Sequence, residues 1–204
     1  KMLPQIPDNY YSLCICDPPY GIKRDKGFGG FGGFGKPIAR TQYNGEWDSE
    51  RPNEEYFIEL LRVSCEQIIW GGQFFSDILP QNNHWIFWDK INTMPTFGDG
   101  ELAYTSFKRN SVKQITLEYN GLLGKEKIPR YHPTQKPVKL YEWLLKNYAK
   151  EGDKILDTHG GSMSIAIACY NLDFDLTLFE LDEDYYKAGV ARFEEHKKQQ
   201  RLFP

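Results

Sequence analysis

No stretch of this 204-residue sequence stays apolar for anything near the ~20 residues that a membrane-spanning helix needs. The amino terminus, Lys1-Met2, lacks the charged-then-apolar pattern of a secretory signal, and the native start reads as missing or altered. Cysteine is scarce. Cys14, Cys16, Cys65 and Cys169 form no CxxC pair and no Cys/His cluster, which argues against zinc and against a disulfide framework. Reduced thiols and a cytoplasmic location are the expectation. No GxGxxG occurs, so a dinucleotide pyrophosphate grip is disfavoured. A large net charge is also missing: the formal value is -3.

The distribution of that charge is uneven. Residues 1–103 carry 9 Lys/Arg against 14 Asp/Glu, residues 104–139 carry 8 against 2, and residues 140–204 carry 8 against 12. One basic block between two acidic ones is the footprint of a face that meets phosphates. The plainer alternative is a solvated basic loop. Aromatic residues reach 15%. They serve cores, and they also stack on extruded bases.

Strand and helix signals alternate along the chain. Leu13-Cys14-Ile15-Cys16 reads as a buried strand that Asp17-Pro18-Pro19 ends. Residues 21–50 form a long loop, with a Gly/Phe stretch at 27–35 that packs no core. Residues 52–67 read as a helix, Ile68-Ile69-Trp70 and Trp85 to Trp88 as strands, and 101–107 with 111–118 as a strand pair. Val138, Tyr141, Leu144, Leu145 and Tyr148 mark a helix. After it come a strand at 154–157, a helix opened by Gly160-Gly161, a strand at 174–179 and a helix from Asp182. Such alternation predicts a single α/β domain over 1–204, a doubly wound, mostly parallel sheet.

Two strand ends carry chemistry. Asp157 ends one strand, a glycine turn follows, and Glu180 ends the next strand 23 residues later. In doubly wound sheets a cofactor lies beyond such ends, and an acid at that spacing can accept both hydroxyls of a ribose. A tight turn with a solvated acid is the plainer alternative. At the other strand end, Asp17-Pro18-Pro19-Tyr20 offers a carboxylate, a proline-stiffened carbonyl and an aromatic ring. The exocyclic amino group of a base is a weak nucleophile, because its lone pair is delocalised into the ring. Acceptors that hold its hydrogens turn that lone pair outward, and a ring can stack on the flipped base. An ordinary strand-ending turn would look the same in isolation.

Together these segments resemble the amino-directed DNA methyltransferases. Asp17 to Tyr20 is similar to the DPPY catalytic motif, His132-Pro133-Thr134-Gln135-Lys136-Pro137 to the segment before the cofactor strand, and Asp157 to Ser164 to DPFxGSGT. The catalytic motif comes first, as in the circularly permuted β class, here in a small prophage-like form.

The resemblance implies a permuted class I sheet with six parallel strands and one antiparallel. It implies S-adenosylmethionine as cofactor, DNA as partner, and direct methyl transfer to N6 of a flipped adenine without a metal. It carries the catalytic role to Asp17, Pro18, Pro19 and Tyr20. It carries cofactor binding to Asp157, Thr158, His159, Gly161, Ser162, Glu180, Thr134 and Lys136, with Lys136 reaching the cofactor carboxylate. Trp70 and Trp88 would line the base pocket. A short target-recognition region would fall at about 108–131, with Lys108, Arg109, Lys113, Lys125, Lys127 and Arg130 on phosphates.

Thr158, His159 and Met163 depart from the family pattern. Transfer to N4 of cytosine is the nearest rival, although that branch usually has Ser at position 17. A weak nucleic-acid-binding module, or a methyltransferase for small molecules or protein glutamine, lies further off. No membrane partner is expected, and a homodimer is allowed.

Overall fold

The computed structural model describes residues 3–22, 50–91, 98–118, 131–132 and 134–201. Its strands are β1 (Tyr11–Cys16), β2 (Ser64–Trp70), β3 (Trp85–Asp89), β4 (Gly100–Thr105), β5 (Lys113–Thr116), β6 (Lys154–Asp157) and β7 (Asp175–Leu178). They form one sheet in the order β5-β3-β4-β2-β1-β6-β7. Among the described residues only β4 runs antiparallel to its neighbours β2 and β3; the other pairings are parallel. The sheet is therefore the mixed, mostly parallel one that the motifs imply.

Alternation along β1 explains its place at the centre. Leu13 and Ile15 point to one face, where Leu140, Tyr141, Leu144 and Leu145 of α2 (Val138–Tyr148) and Ile165 and Ala168 of α3 (Ser164–Asn171) cover them. Cys14 and Cys16 point to the other face, against Phe57, Leu60 and Val63 of α1 (Glu54–Val63) and Phe75. A strand covered on both sides reads as a continuous apolar run. Helix α4 (Glu183–Arg201) closes the described chain. Among the described residues no helix is long and apolar enough to cross a membrane. All four cysteines are free.

Helix α1 is shorter than the expected 52–67. Asn53 caps it by accepting the Tyr56 N–H at 3.1 Å. It stops at Val63, where the Ser64 hydroxyl donates back to the Leu60 carbonyl at 2.6 Å. The polar run Ser64 to Gln67 then joins β2 in register with β1, so sheet pairing overrides a helix-like local pattern. The expected strand pair of 101–107 with 111–118 is also corrected. β4 and β5 each pair with β3, which lies between them. The third helix opens at Ser164, after the glycine turn rather than within it.

Candidate active site

β1 and β6 are neighbours and run in the same direction, so Asp17 and the turn after Asp157 leave the sheet side by side. Asp17 Oδ1 accepts the Tyr20 hydroxyl at 2.6 Å, and Oδ2 accepts the Lys136 ammonium. Lys136 also lies 3.2 Å from Glu101 Oε2, and Glu101 accepts a second ammonium from Lys90. The Lys136 side chain is 3% exposed and that of Asp17 14%. Burial works against the charge on Lys136, but Asp17 and Glu101 together hold it protonated above the usual lysine range. Burial likewise works against Glu101, and Lys136 and Lys90 outweigh it, pulling its pKa down to about 2. Lys136, expected to reach a cofactor carboxylate, is here paired with Asp17.

Tyr20 is held as firmly. Its ring stacks on Phe74 at 4.8 Å and 18°. Gly71, at φ +67°, makes room for it: a Cβ there would fall 2.2 Å from Tyr20 Cε1. One face of the ring expected to stack on a base therefore rests on Phe74. Trp70 and Trp88 do not line a pocket. Both are buried in the core and meet edge to face at 6.1 Å. Their large apolar area is better used there.

The turn after β6 is tied down from several sides. Asp157 accepts the His159 N–H at 2.9 Å, Gly160 N–H donates to the Phe179 carbonyl at 2.8 Å, and Gly161 N–H donates to Glu180 Oε2 at 2.6 Å. Glu180 Oε1 accepts the Asp182 N–H at 2.8 Å, so one carboxylate bridges both strand ends. Gly161 takes φ +48° and Met163 φ +56°. Met163 stands where the resembling family has glycine, at a conformation that costs an L-residue ~1 kcal/mol. Its side chain is 4% exposed and packs against Gly189, which offsets that strain by burial.

The remaining residues of the turn join this network. The Thr158 hydroxyl lies 2.7 Å from the Tyr56 hydroxyl and 3.0 Å from His159 Nδ1. His159 sits edge-on to Tyr56 at 5.6 Å. Ser162 and Ser164 hydroxyls are 3.1 Å apart, and Arg192 donates to the Ser162 carbonyl at 2.7 Å. Thr134 contacts His132 Nδ1 at 3.1 Å. Burial pushes His132 and His159 down to about 4, so both are neutral at pH 7. Burial pushes Asp157 the other way, to about 7, with Asp17 and Glu180 adding repulsion.

The structure separates the basic residues. β4 enters the sheet beside the site at Gly100–Glu101 and leaves it at the opposite edge after Thr105. Lys108 and Arg109 follow there. Arg109 stacks 5.3 Å above Tyr148, at the end of α2 remote from Lys136. Lys113 opens β5 opposite Ile86 at the same far edge, while Thr116 returns to Asp89 on the site side. Lys108, Arg109 and Lys113 therefore lie at the sheet edge away from Asp17. Lys125, Lys127, Arg130 and the Gly/Phe stretch lie outside the described residues. Glu101, Lys90, Phe74, Tyr56 and Arg192 are site residues that sequence reasoning missed. Each stands in a segment without a motif, the charged three as ordinary surface-type residues and the two aromatics as ordinary packing residues, and the fold alone brings them in.

A family model described as DNA methylase, N6_N4_Mtase, matches residues 69–191. The chain is 25% identical over 233 residues to the Type II methyltransferase M2.MboI of Moraxella bovis, covering 92% of this chain and 82% of that protein. It is 25% identical over 232 residues to the Type II methyltransferase M.HpaI of Haemophilus parainfluenzae, covering 95% and 71%. Among solved structures, the M1.HpyAVI–SAM complex aligns with a TM-score of 0.59 at 21% identity, covering 90% of each chain. The cytosine-N4-specific PvuII DNA methyltransferase aligns with a TM-score of 0.60 at 15% identity, covering 96% of this chain and 86% of that one. These two likenesses establish the fold. With a family model that spans more than half of the sequence, the chain belongs to the N6/N4 family of DNA methylases.

Proposed function

We propose that this protein transfers the methyl group of S-adenosylmethionine to N6 of a flipped adenine in DNA. The observation that carries the reading is the pairing of two strand ends: the Asp17 carboxylate after β1 and the Glu180-tied glycine turn after β6, on adjacent parallel strands. Each carboxylate oxygen of Asp17 can accept two hydrogen bonds, and the contacts to Tyr20 and Lys136 leave acceptor capacity for an amino group. Asp17 and the Pro18 carbonyl hold that group so that its lone pair faces the methyl donor. Positioning and electrostatics then do most of the catalysis, without a covalent intermediate on the protein.

The β6–β7 end suits the cofactor. S-adenosylmethionine supplies a methyl group on a sulfonium, already activated for displacement. Glu180 keeps acceptor capacity for ribose hydroxyls beyond its two backbone donors. Leu181 beside it is fully exposed, an apolar side chain that an adenine ring would cover. Asp157, Thr158, His159, Gly161 and Ser162 follow β6 beside the end of β1, and Thr134 contacts His132, whose ring lies near Gly161; these residues are assigned to the cofactor.

Tritium transfer from labelled cofactor into unmethylated DNA, followed by nucleoside analysis, tests the reading. N6-methyladenine is the expected product. N4-methylcytosine would move the target, and no labelled nucleoside would overturn the activity. Glu180→Ala is expected to weaken cofactor binding by about 1.5–3 kcal/mol, the range for hydrogen bonds to a charged group. Calorimetry that finds the wild-type affinity would remove Glu180 from the cofactor site.

For DNA, we propose that the phosphate contacts of the basic block come from Lys125, Lys127 and Arg130. Their triple alanine variant is expected to flatten the plot of log affinity against log salt by about 2–3 units. A Lys108→Ala/Lys113→Ala variant, changed at the far edge of the sheet, is expected to leave that slope unaltered. Equal loss in both variants would return the DNA face to the whole basic block.

A further inference from the structure

Four charged groups form a chain running back from the end of β1: Asp17, Lys136, Glu101 and Lys90. Two are cations and two anions, so the cluster is neutral as a unit. Its outer end, Asp17, is the more open, and Lys136 behind it is enclosed. A lysine so enclosed keeps its proton only if carboxylates surround it. Glu101 supplies the second one. Its Oε2 is shut off from solvent, makes no hydrogen bond of good geometry, and has Lys136 as its cationic neighbour at 3.2 Å. Glu101 is the second residue of β4, antiparallel to its neighbours, so this carboxylate comes from the beginning of a strand, whereas Asp17 and the turn after Asp157 come from strand ends.

We propose that Lys136 and Glu101 are positioning residues for Asp17: Lys136, anchored on its far side by Glu101, holds the Asp17 carboxylate turned so that Oδ1 meets the base. The inference rests on the reading of Asp17 as the acceptor for the amino group. The groups that face Asp17 bear it out. Tyr20 comes from its own segment, His132 and Lys136 from the chain before α2, Tyr141 from α2, and Asp157 and His159 from the turn after β6, with Glu101 of β4 behind Lys136. Both histidines are neutral at pH 7. Among the described residues, Lys136 is the one cation paired with Asp17. Its removal leaves Asp17 beside Asp157 without its paired cation.

Single-turnover methyl transfer, with calorimetry of cofactor binding and thermal melting, tests the placement. Lys136→Met is expected to slow turnover by roughly a hundredfold, with cofactor affinity within about twofold. Lys136→Arg, which keeps the cation, should restore part of that loss. The double variant Lys136→Met/Glu101→Gln removes one cation and one anion together, and should fold and stay slow. Glu101→Gln alone should slow turnover by roughly ten- to a hundredfold through misplacement of Lys136, with cofactor affinity retained. A folded double variant with wild-type turnover would overturn the role of Lys136. Unchanged turnover in Glu101→Gln would overturn that of Glu101. A loss of cofactor affinity as large as the loss of rate would place Lys136 on the cofactor and overturn its role at Asp17. A wild-type protein that methylates no DNA would defeat the functional reading instead.

Discussion

Replacing Asp17 with alanine is expected to slow methyl transfer by about a thousandfold or more and to leave S-adenosylmethionine affinity within about twofold. The asymmetry follows from where the carboxylate acts. Asp17 sits at the end of β1 and contacts Tyr20 and Lys136, while the turn that would hold the cofactor is tied to Glu180 and Phe179 at the end of β7. An acceptor that matters once the amino group begins to attack contributes to the transition state and not to cofactor binding. The variant should fold, because Lys136 keeps Glu101 as a partner and Asp17 lies at the open end of the cluster. Asp17→Asn should retain more activity than alanine, since an amide oxygen still accepts, but it lacks the charge that strengthens the bond. Single-turnover rates on DNA alongside calorimetry with cofactor check both halves. A rate near wild type in Asp17→Ala would remove this carboxylate from the chemistry.

The sequence made the two strand ends legible because their chemistry is local. Asp17-Pro18-Pro19-Tyr20 and the Asp157–Gly161 turn each sit in one short segment where a strand stops, and the apolar run at 13–16 announces the central strand. Glu101 was illegible for the opposite reason. It is one acid in an acidic half of the chain, and it reaches Lys136 only because β4 inserts antiparallel between β2 and β3. The same crossing is invisible in the basic block: β4 delivers Lys108 to the far edge of the sheet before β5 runs back toward the site. Helix and strand were confused at 64–67, where Ser64, Cys65, Glu66 and Gln67 satisfy either pattern and only the pairing with β1, from Ser64 opposite Tyr11 to Gln67 opposite Cys14, decides. Long-range pairing is the information that local periodicity does not contain.

Asp157→Asn is expected to make the cofactor-free protein more stable at pH 8 and no more stable near pH 4. Asp157 ends β6 at 2% exposure, and burial is the main reason that its pKa is pushed up to about 7, with Asp17 and Glu180 adding repulsion and the His159 N–H and Lys136 opposing it. The sign follows from proton counting. Between about pH 4 and about pH 7 the folded protein keeps a proton on Asp157 that the unfolded chain has released. The unfolded state then binds fewer protons, so stability falls as pH rises through that window. About three pH units at ~1.4 kcal/mol each set an upper bound of about 4 kcal/mol on the loss by pH 8. Asparagine keeps the oxygen that accepts the His159 N–H and carries no charge to desolvate. The variant should therefore recover on the order of 1–3 kcal/mol at pH 8. The same substitution should weaken cofactor binding by about 1.5–3 kcal/mol at that pH, because the ionised carboxylate is what would hold the cationic amino group of the methionine part. A group kept at the expense of apo stability fits a binding site better than a structural one. Denaturant unfolding of both proteins at pH 5 and pH 8, with calorimetry at pH 8, separates the possibilities. Parallel stability curves for wild type and variant would mean that Asp157 folds already ionised and compensated, and that its burial carries no penalty for the cofactor to relieve.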